Sequence, residues 1–524
     1  MNSKSDKNAK IFQLISWALL VVSFIVLLCF LNARIDFLMS SDESSELILG
    51  NILAKENRIV TPNWFYSTEL RVLNTQLIYA LCFKLFSDWH MVRMVSTTIG
   101  YVLLLLCYYF LCRQLHCQKY FAVSAVALLV PFSEEYFIVV LRGLYYIPHI
   151  CISFLIMGLL FLFLHADKIQ KKILAIGPAV LLAFLSCLGG VRQLVILFIP
   201  LVMLPLWEML WILLKKQDLK KMPELIRPDT YRLLIFSLSC LLSGILGYVI
   251  NDTILSKYYD FISFSGISFT NFDIAKLGQI IAGLLRDYGF PKGLVFSKSL
   301  IPFVVCALLF AFTVDGICYA IRNREKISYE YYIIVCFFIW NIVAFVGLYL
   351  FSDAPYADRY NIPIIIWSIP IGMLSMVSGR WRPQMQALFA TLLVIGLMLT
   401  GTIFLSEQMQ NEENKELMQI TSQLCEKGYT NGYATYWRGN LITELSDGQI
   451  DMWVWCDNHI EEVTDIHTVR KWLQKKEHTL IQPVGRQFIL LTRDEYNRCN
   501  WQDWLLLEEA EYCSDSYVVF GFDR

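Results

Sequence analysis

Long apolar runs recur along most of the chain and constrain its fold more than any other feature. Windows of roughly 20 residues with few charges are long enough to cross the hydrocarbon core of a bilayer as helices. Helices and closed barrels are the structures that satisfy every backbone polar group there, and these runs are too long and continuous for barrel strands. The sequence therefore predicts a polytopic α-helical membrane protein.

The predicted spans number about eleven at this window length. They are placed at Ile11–Ala33, Arg93–Cys112, Tyr120–Phe132, Leu144–His165, Ile173–Leu188, Gln193–Leu214, Leu233–Ile250, Leu300–Ile321, Tyr331–Phe351, Ile362–Ser378 and Gln386–Leu405. The Tyr120–Phe132 and Ile173–Leu188 runs are short for a crossing. Hydrophobic residues make up 56% of the chain and charged residues 17%, which agrees with a chain that mostly faces lipid. The net charge of −1 gives no indication of a nucleic-acid partner.

Lysine and arginine are concentrated in alternate loops, and this bias predicts the topology. The basic loops lie around residues 4–10, 113–119, 168–172, 215–221, 322–326 and 380–382. Short cytoplasmic loops collect these residues, so the amino terminus is expected inside the cell. An odd number of crossings then divides the chain into a transmembrane domain, 1–405, and an extracytoplasmic domain, 406–524, of a protein in the plasma membrane.

The last part of the chain changes pattern and predicts a small α/β domain. Short runs with turn residues between them predict strands at Gly428-Tyr429, Gly432–Trp437, Ile450–Trp455, Gln487–Leu491 and Tyr517–Phe520. Helices are predicted at Asn411–Lys427 and Thr468–Lys476. The stretch Gly432–Ser446 is interpreted as a packed strand and turn, or alternatively as a glycan-gripping surface with Trp437, Arg438 and Glu444. Disulfides and free thiols both remain open for Cys425, Cys456, Cys499 and Cys513.

The loops predicted to face outward carry an unusual number of polar side chains. The first, from Arg34 to Arg93, contains apolar runs too short to span, which predict amphipathic helices along the membrane surface. It opens with Asp42 and Glu43, directly after the first span. Ser40 and Glu43 also fit a capping box, so the same acids have a structural interpretation as a helix start.

Further candidates for a ligand site lie in the later outward loops. They are Glu134, Glu135, Arg142, Tyr145, Arg192, Lys292, Arg359 and Tyr360. Each cation has a structural alternative: Arg142 as an ion-pair partner of Glu134 or Glu135, Arg192 reaching lipid headgroups, and Arg359 pairing with Asp358 or Asp353. Acids, cations and tyrosines at one depth predict a polar site at the outer mouth of the membrane.

This combination suits transfer from a lipid-linked donor whose phosphate lies at headgroup level. A phosphate leaving group needs cations to neutralise its charge, whereas an acceptor hydroxyl needs one carboxylate as base. Motifs for soluble nucleotide cofactors and for common hydrolases are absent from the sequence. The energy for the reaction must therefore come with the donor.

At this point the chain resembles the GT-C superfamily of integral membrane glycosyltransferases, which includes the protein O-mannosyltransferases and the lipid A aminoarabinose transferases. The resemblance rests on Ser41-Asp42-Glu43-Ser44 after the first span, on the amphipathic first loop, and on Asp358-Arg359-Tyr360-Asn361-Ile362-Pro363 before a late span. The resemblance covers about residues 10–405, which is the part of the chain that contains the predicted spans.

The resemblance implies an inverting transfer from a polyprenyl-phosphate sugar to a glycan, lipid or protein acceptor, within membrane lipids. It also implies that Asp42 is the base, with Glu43 as the fallback. The motif here is Asp-Glu rather than Asp-x-Asp, so the resemblance leaves open whether a divalent metal ion takes part. The competing interpretations are a transporter or flippase, or a polymerase, of polyprenyl-linked glycans. A flippase should carry polar residues through the midplane and show repeat symmetry, which this sequence does not.

Overall fold

A computed structural model describes residues 2–214, 227–261, 268–270, 272–290, 299–378, 382–455 and 460–523. The chain divides into two compact units. The first consists of Met1–Cys29, Gly100–Asp252 and Phe264–Gln408, and the second of Phe30–Ile99, Thr253–Ser263 and Met409–Arg524.

The helices begin and end as follows: α1 Asn2–Leu38, α2 Ser41–Glu56, α3 Gln76–Phe83, α4 Trp89–Gln114, α5 Phe121–Leu129, α6 Glu134–Arg142, α7 Ile147–Leu164, α8 Ile169–Cys187, α9 Ile199–Leu214, α10 Pro228–Thr253, α11 Ile274–Asp287, α12 Leu300–Arg322, α13 Tyr329–Leu350, α14 Ile362–Val377, α15 Pro383–Gln408, α16 Lys415–Glu426, α17 Tyr436–Leu445 and α18 Arg493–Arg498.

Within the described ranges, nine helical segments are long and apolar enough to cross a membrane. They are Asn8–Leu38, Trp89–Gln114, Ile147–Leu164, Ile169–Cys187, Leu194–Trp211, Pro228–Lys257, Leu300–Arg322, Tyr329–Leu350 and Gln384–Gln408. Each coincides with one of the predicted spans, including the short Ile173–Leu188 run. The polytopic helical fold class is therefore confirmed.

The two remaining predicted spans take other forms. The Tyr120–Phe132 run contains α5, which is followed after a short break by α6 at an angle of 99°. Pro131 lies in that break. Because proline has no amide hydrogen, it cannot donate the backbone hydrogen bond that would continue the helix. The Ile362–Ser378 run is α14, a helix of 16 residues, or about 24 Å. These two elements explain why the number of full-length spans is lower than predicted.

Helix α14 lies in the core of the first unit. Its Trp367 is 1% exposed and meets the rings of Phe154 and Phe337 edge-on, at centroid distances of 5.4 and 5.1 Å. The indole N–H donates to the Ser153 hydroxyl at 3.2 Å, so its polar atom is satisfied. A helix that is apolar on all sides is buried by protein in this way rather than exposed on one face.

The second unit combines α2, α3 and the first turns of α4 with the carboxy-terminal domain. Its strands are β1 Trp64–Phe65, β2 Asn431–Thr435, β3 Asp451–Trp455, β4 Gln474–Lys475, β5 Arg486–Thr492, β6 Tyr512–Cys513 and β7 Tyr517–Asp523. Five of them form a sheet in the order β3-β2-β5-β7-β6, and β1 pairs with β4. Strand β2 runs parallel to both of its neighbours, whereas β5 and β7 are antiparallel.

The sheet buries an aromatic core on one face. Tyr433 and Trp455 stack at 5.5 Å, and Trp501 packs on Trp455 at 4.8 Å. The predicted α/β domain is confirmed, and α16 corresponds to the predicted Asn411–Lys427 helix. Cys425, Cys499 and Cys513 are free thiols. Cys456 lies outside the described residues.

Two predictions about this domain were wrong. Residues 468–476 form no α-helix: Gln474–Lys475 is strand β4, Lys476 begins a 3-10 turn, and the Arg470 amide donates to the Val454 carbonyl of β3 at 2.8 Å. There the Gln474 side chain bonds both the amide and the carbonyl of Val454 at 3.2 Å. The Gly432–Ser446 stretch is a strand only as far as Thr435, after which it becomes helix α17. Trp437, Arg438 and Glu444 therefore lie on a helix and not on a strand and turn.

Candidate active site

Asp42 and Glu43 lie in the first turn of α2, and the structure gives their carboxylates different partners. Ser40 is the N-cap residue and has an extended backbone. The Glu43 carboxylate accepts a hydrogen bond from the Ser40 amide at 2.6 Å. Glu43 is 1% exposed. The predicted helix-start function of Glu43 is confirmed, and its carboxylate is held by that contact.

Asp42 instead faces Tyr436 and remains half-buried. The Tyr436 hydroxyl donates a hydrogen bond to Asp42 Oδ1. No described residue hydrogen-bonds to Asp42 Oδ2. Burial, and then the negative charge of Asp42, raise the pKa of Tyr436 well above its usual value. Tyr436 therefore stays protonated and orients the Asp42 carboxylate while leaving one oxygen available.

Local structure explains how Tyr436 reaches this position. Strand β2 ends at Thr435, and Tyr436 is the first residue of α17, at the carboxyl end of a parallel strand. Gly439, one turn later, allows α17 to approach β3 closely, because a Cβ there would lie 2.7 Å from a methyl group of Val454. The Arg470 guanidinium lies 5.1 Å from the Tyr436 ring centroid.

An ion pair lies one helical turn beyond Asp42. Glu46, on the same face of α2, is 2% exposed and pairs with Arg71 through Nη1. Burial raises the pKa of Glu46, Arg71 opposes that rise, and the charge of Asp42 adds to it. The three groups are therefore within electrostatic reach of one another.

The backbone at Arg71 is strained, with a φ of 46° that non-glycine residues rarely adopt. Its carbonyl accepts a hydrogen bond from the Gln76 side chain, and its Nη2 lies 3.4 Å from Ser67 Oγ. The Arg71 Nε is buried and has no hydrogen-bond partner among the residues described. Strained residues held by surrounding contacts are often found at functional sites.

A second, fully buried ion pair secures the start of α2. Arg93 donates from Nε and Nη2 to the two carboxylate oxygens of Glu444 at 2.5 and 2.6 Å. Arg93 Nη2 also donates to the carbonyl of Glu43 at 3.1 Å. Arg93 and Glu444 are 1% and 6% exposed. The turn that carries Asp42 is therefore tied to α4 and α17.

The first unit assembles candidates from three separate loops. The Arg192 guanidinium lies 5.0 Å from the Tyr146 ring centroid, and that of Arg359 lies 5.7 Å from the ring of Tyr360. Tyr360 stacks on Tyr349 at 5.8 Å. We call Tyr146, Arg192, Tyr349, Arg359 and Tyr360 the arginine–tyrosine cluster. Electrostatic interactions link Arg359 to Tyr146, and Tyr349 to both Tyr146 and Arg192.

Arg359 is an available cation within this cluster. Asp358, its predicted structural partner, is instead bound by Arg286 through two hydrogen bonds of 2.8 and 2.9 Å. Asp353, the other alternative, accepts from the amide of Ser268 at 2.8 Å. In the described part of the chain Arg359 forms no ion pair. The structural alternative proposed for Arg359 was therefore wrong.

A cavity of about 720 Å³ lies in the same unit. Its polar lining includes Glu134, Glu135, Arg286, Asp287 and Asp358, and its apolar lining includes Phe132, Phe290 and Phe404. Asp287 is 1% exposed and accepts a hydrogen bond from Asn361 at 2.9 Å. Burial raises the pKa of Asp287 to about 8, with further increases from Asp358 and Glu135. The predicted Glu134 and Glu135 therefore line a pocket.

The other predicted residues are distributed as follows. Arg142 is 8% exposed, with its guanidinium 5.8 Å from the Phe137 ring centroid. Tyr145 is half-buried beside Gly143, where a Cβ would come within 2.5 Å of the tyrosine ring. Lys292 lies outside the described residues. The structure thus brings Glu135, Arg192, Arg359 and Tyr360 together within the first unit, while Asp42 and Glu43 belong to the second.

The sequence interpretation missed Tyr436, Glu46, Arg71 and the Arg93–Glu444 pair as parts of the Asp42 cluster. Glu46 follows Asp42 at helical spacing, so the helix start could have indicated it. Tyr436 is 394 residues from Asp42 and Glu444 is 351 from Arg93, and no local pattern connects residues so far apart.

Among the described residues, one group could hold a metal ion. The ligand atoms of Asp451, Glu477 and His478 all lie within 4.8 Å of one another. However, Lys475 Nζ lies 2.5 Å from Asp451 Oδ2, and His478 Nε2 lies 3.1 Å from the same oxygen. These contacts lower the pKa of Asp451 despite its burial. An ammonium group therefore already neutralises this carboxylate.

Taken together, the apolar helices, the helical first loop and the appended sheet domain form a fold that also occurs among solved structures. The fold is similar to that of ArnT from Cupriavidus metallidurans bound to undecaprenyl phosphate, with a TM-score of 0.60 and 12% identity over 96% of this chain and 97% of that one. The apo state of the same ArnT gives a TM-score of 0.56 at 10% identity over the same shares.

An oligosaccharyltransferase from Archaeoglobus fulgidus, tethered to an acceptor peptide, gives a TM-score of 0.46 at 13% identity over 83% of this chain and 63% of that one. No protein-family model matches the chain. No curated protein matches it either.

Proposed function

We propose that this chain is a membrane glycosyltransferase that moves a sugar from a polyprenyl-phosphate donor to an acceptor on the outer face of the membrane. The observation that carries the proposal is the Asp42 cluster: a half-buried carboxylate at a helix start, oriented by Tyr436 and flanked by the Glu46–Arg71 pair. Two further observations support it, the fold shared with an ArnT that binds undecaprenyl phosphate and the lysine and arginine bias of the loops.

In the proposed reaction Asp42 is the general base. Its Oδ2 takes the proton of the acceptor hydroxyl or amine while the acceptor atom attacks the anomeric carbon of the sugar. The bond between that carbon and the phosphate oxygen breaks, and its electron pair leaves with the lipid phosphate. Attack from the face opposite the phosphate inverts the anomeric configuration. A phosphate leaving group is a weak base, so one carboxylate suffices.

The hydrogen bonds favour Asp42 over Glu43 in this function. The Glu43 carboxylate accepts from the Ser40 amide, whereas Asp42 keeps one oxygen without a described partner. Tyr436 acts as a positioning residue, because its hydroxyl holds Asp42 Oδ1 and is itself expected to remain protonated. The Arg93–Glu444 pair fixes the backbone of the same turn.

Two arginines are candidates for binding the donor phosphate. Arg71 belongs to the Asp42 cluster, and Arg359 belongs to the arginine–tyrosine cluster with Tyr360 as an additional donor. A guanidinium can bind phosphate through two parallel hydrogen bonds, and an ammonium cannot. Separate Arg71→Lys and Arg359→Lys variants, each measured for donor affinity, would identify the phosphate ligand.

The test of the proposed function uses the full chain in lipid nanodiscs with a panel of radiolabelled undecaprenyl-phosphate sugars. Asp42→Asn should retain donor binding but lose transfer by about 10²-fold or more, because a positioned base contributes at least that factor. Tyr436→Phe should retain partial activity with an altered pH profile.

Glu412→Gln, a change in an exposed ion pair with Lys415, is the matched control and should be fully active. Near-normal turnover by Asp42→Asn would remove Asp42 from the mechanism. Absence of transfer from every donor by the wild type would refute the proposed function.

A further inference from the structure

An exposed tryptophan lies directly beside the Asp42 cluster. Trp437 follows Tyr436 in the first turn of α17, and its side chain is 44% exposed. The two rings meet nearly edge-on, with centroids 5.2 Å apart and an interplanar angle of 66°. We propose that the exposed face of Trp437 binds a sugar ring of a saccharide acceptor, next to the carboxylate that takes its proton. This inference rests on the proposed glycosyl transfer.

The position of Trp437 makes the acceptor its expected ligand. Its neighbour Tyr436 is the residue that orients Asp42, so one aromatic ring separates the Trp437 surface from the proposed base. An acceptor bound on this surface would lie beside the residue that orients the proposed base. A residue that binds the acceptor here would place the acceptor's nucleophilic group near the Asp42 carboxylate. Such placement is the main requirement for catalysis by proximity.

Several contacts fix the turn of α17 that carries Trp437. Arg438 Nη1 donates to the Trp437 carbonyl at 3.3 Å, and the Arg438 guanidinium lies 5.9 Å from the ring centroid of Tyr517 on β7. The close approach of α17 to β3 at Gly439 anchors the same turn from below. A binding residue on a fixed turn loses less conformational freedom when a ligand binds, so more of the contact energy contributes to affinity.

Chemistry favours a saccharide as the occupant of this surface. An indole is large, flat and amphipathic, and its π face complements the C–H groups on one side of a pyranose ring. The neighbouring Arg438 is partly exposed, and its guanidinium carries further N–H donors beside this surface. A flat apolar face with a polar edge suits a ring whose hydroxyls point outward.

Trp504 provides a matched control in the same domain. It is 48% exposed, similar to Trp437, but its described ring contact is with Trp501 at 6.4 Å, at the sheet's aromatic core. Substitution of either tryptophan removes a comparable exposed surface. A change seen for Trp437 and not for Trp504 therefore reports on position rather than on the loss of an exposed indole.

The test measures saccharide binding without turnover. Saturation-transfer NMR would be recorded on the full chain in nanodiscs with methyl glycosides of glucose, galactose, mannose, N-acetylglucosamine and glucuronic acid. Wild type, Trp437→Phe and Trp504→Ala should give saturation transfer to at least one glycoside, and Trp437→Ala should lose at least three-quarters of that signal, as roughly 1 kcal/mol of lost aromatic contact implies. Binding of no glycoside, or equal binding by Trp437→Ala, would overturn the inference.

Kinetics on an acceptor identified by the transfer assay give a second measurement. Trp437→Ala should raise the KM for the acceptor about tenfold, with the donor KM unchanged, since about 1.4 kcal/mol corresponds to that factor. An acceptor that is a peptide or a lipid without sugar, with the same KM in Trp437→Ala, would overturn the inference. A wild-type chain that transfers sugar but binds no glycoside contradicts the inference alone, whereas glycoside binding by a wild-type chain that transfers no sugar contradicts the proposed function alone.

Discussion

Asp287 makes the protein's stability depend on pH in an unusual direction. The residue ends α11, is 1% exposed, and has a pKa of about 8 because burial disfavours its charged form. The Asn361 amide and Arg286 lower the pKa of Asp287, whereas Asp358 and Glu135 raise it further. Arg286 offers little compensation, because its guanidinium is bound to Asp358.

The sign of the effect follows from proton binding. In the unfolded chain Asp287 ionises near pH 4, whereas in the folded protein it keeps its proton up to about pH 8. Between these values the folded state binds more protons, so stability falls as pH rises, by about 1.4 kcal/mol per pH unit. From pH 5.5 to pH 7.5 the loss attributable to Asp287 is about 2.6 kcal/mol, because the slope decreases as the pH approaches the folded pKa.

Asp287→Asn removes this titration but keeps an oxygen that accepts from Asn361. The stability difference between the variant and the wild type should therefore widen in favour of the variant by about 2–3 kcal/mol between pH 5.5 and pH 7.5. The assay is thermal or denaturant unfolding in one detergent at five pH values, with the exposed Asp515→Asn as control. Parallel pH profiles for Asp287→Asn and wild type would refute the argument.

Three other variants or treatments test separate parts of the structure. Arg359→Lys should weaken affinity for a polyprenyl-phosphate sugar while leaving the melting temperature unchanged; unchanged affinity with a lowered melting temperature would exclude Arg359 as a phosphate ligand. Glu444→Gln should cost about 3–5 kcal/mol of stability because it leaves Arg93 buried without its counter-charge, and an unchanged melting temperature would contradict that. Treatment with EDTA should leave the melting temperature unchanged, because Lys475 already neutralises Asp451; a decrease that Mg²⁺ or Mn²⁺ reverses would show that a metal stabilises the protein.

The transmembrane helices were predictable because their signal is local. A run of apolar residues carries its own evidence for a span, and nine of the predicted spans coincide with full-length helices. The two exceptions depend on information that a hydropathy window does not hold. Pro131 breaks one run into two helices at a steep angle, and α14 is surrounded by protein.

The candidate site was predictable only in part, because some of its residues are close in sequence and others are far apart. Asp42 and the Ser40–Glu43 capping box lie within a few residues of each other, so the helix start was visible in the sequence. Tyr436 had no local signal, because its function depends on a fold that joins it to a residue 394 positions away. Residues 468–476 show the converse case, in which contacts of Arg470 and Gln474 with Val454 of β3 take the place of the predicted helix.

The Arg93–Glu444 pair has a consequence for how the protein is made. Translation delivers Arg93 long before Glu444, since 351 residues separate them. Until the last part of the chain has been synthesised, the Arg93 guanidinium near the start of α4 lacks Glu444, its ion-pair partner. A nascent chain that stops after α15 must keep this arginine hydrated or bury it uncompensated, both at the expense of stability. The start of α2 and α4 can therefore reach its final structure only after the whole chain has been synthesised.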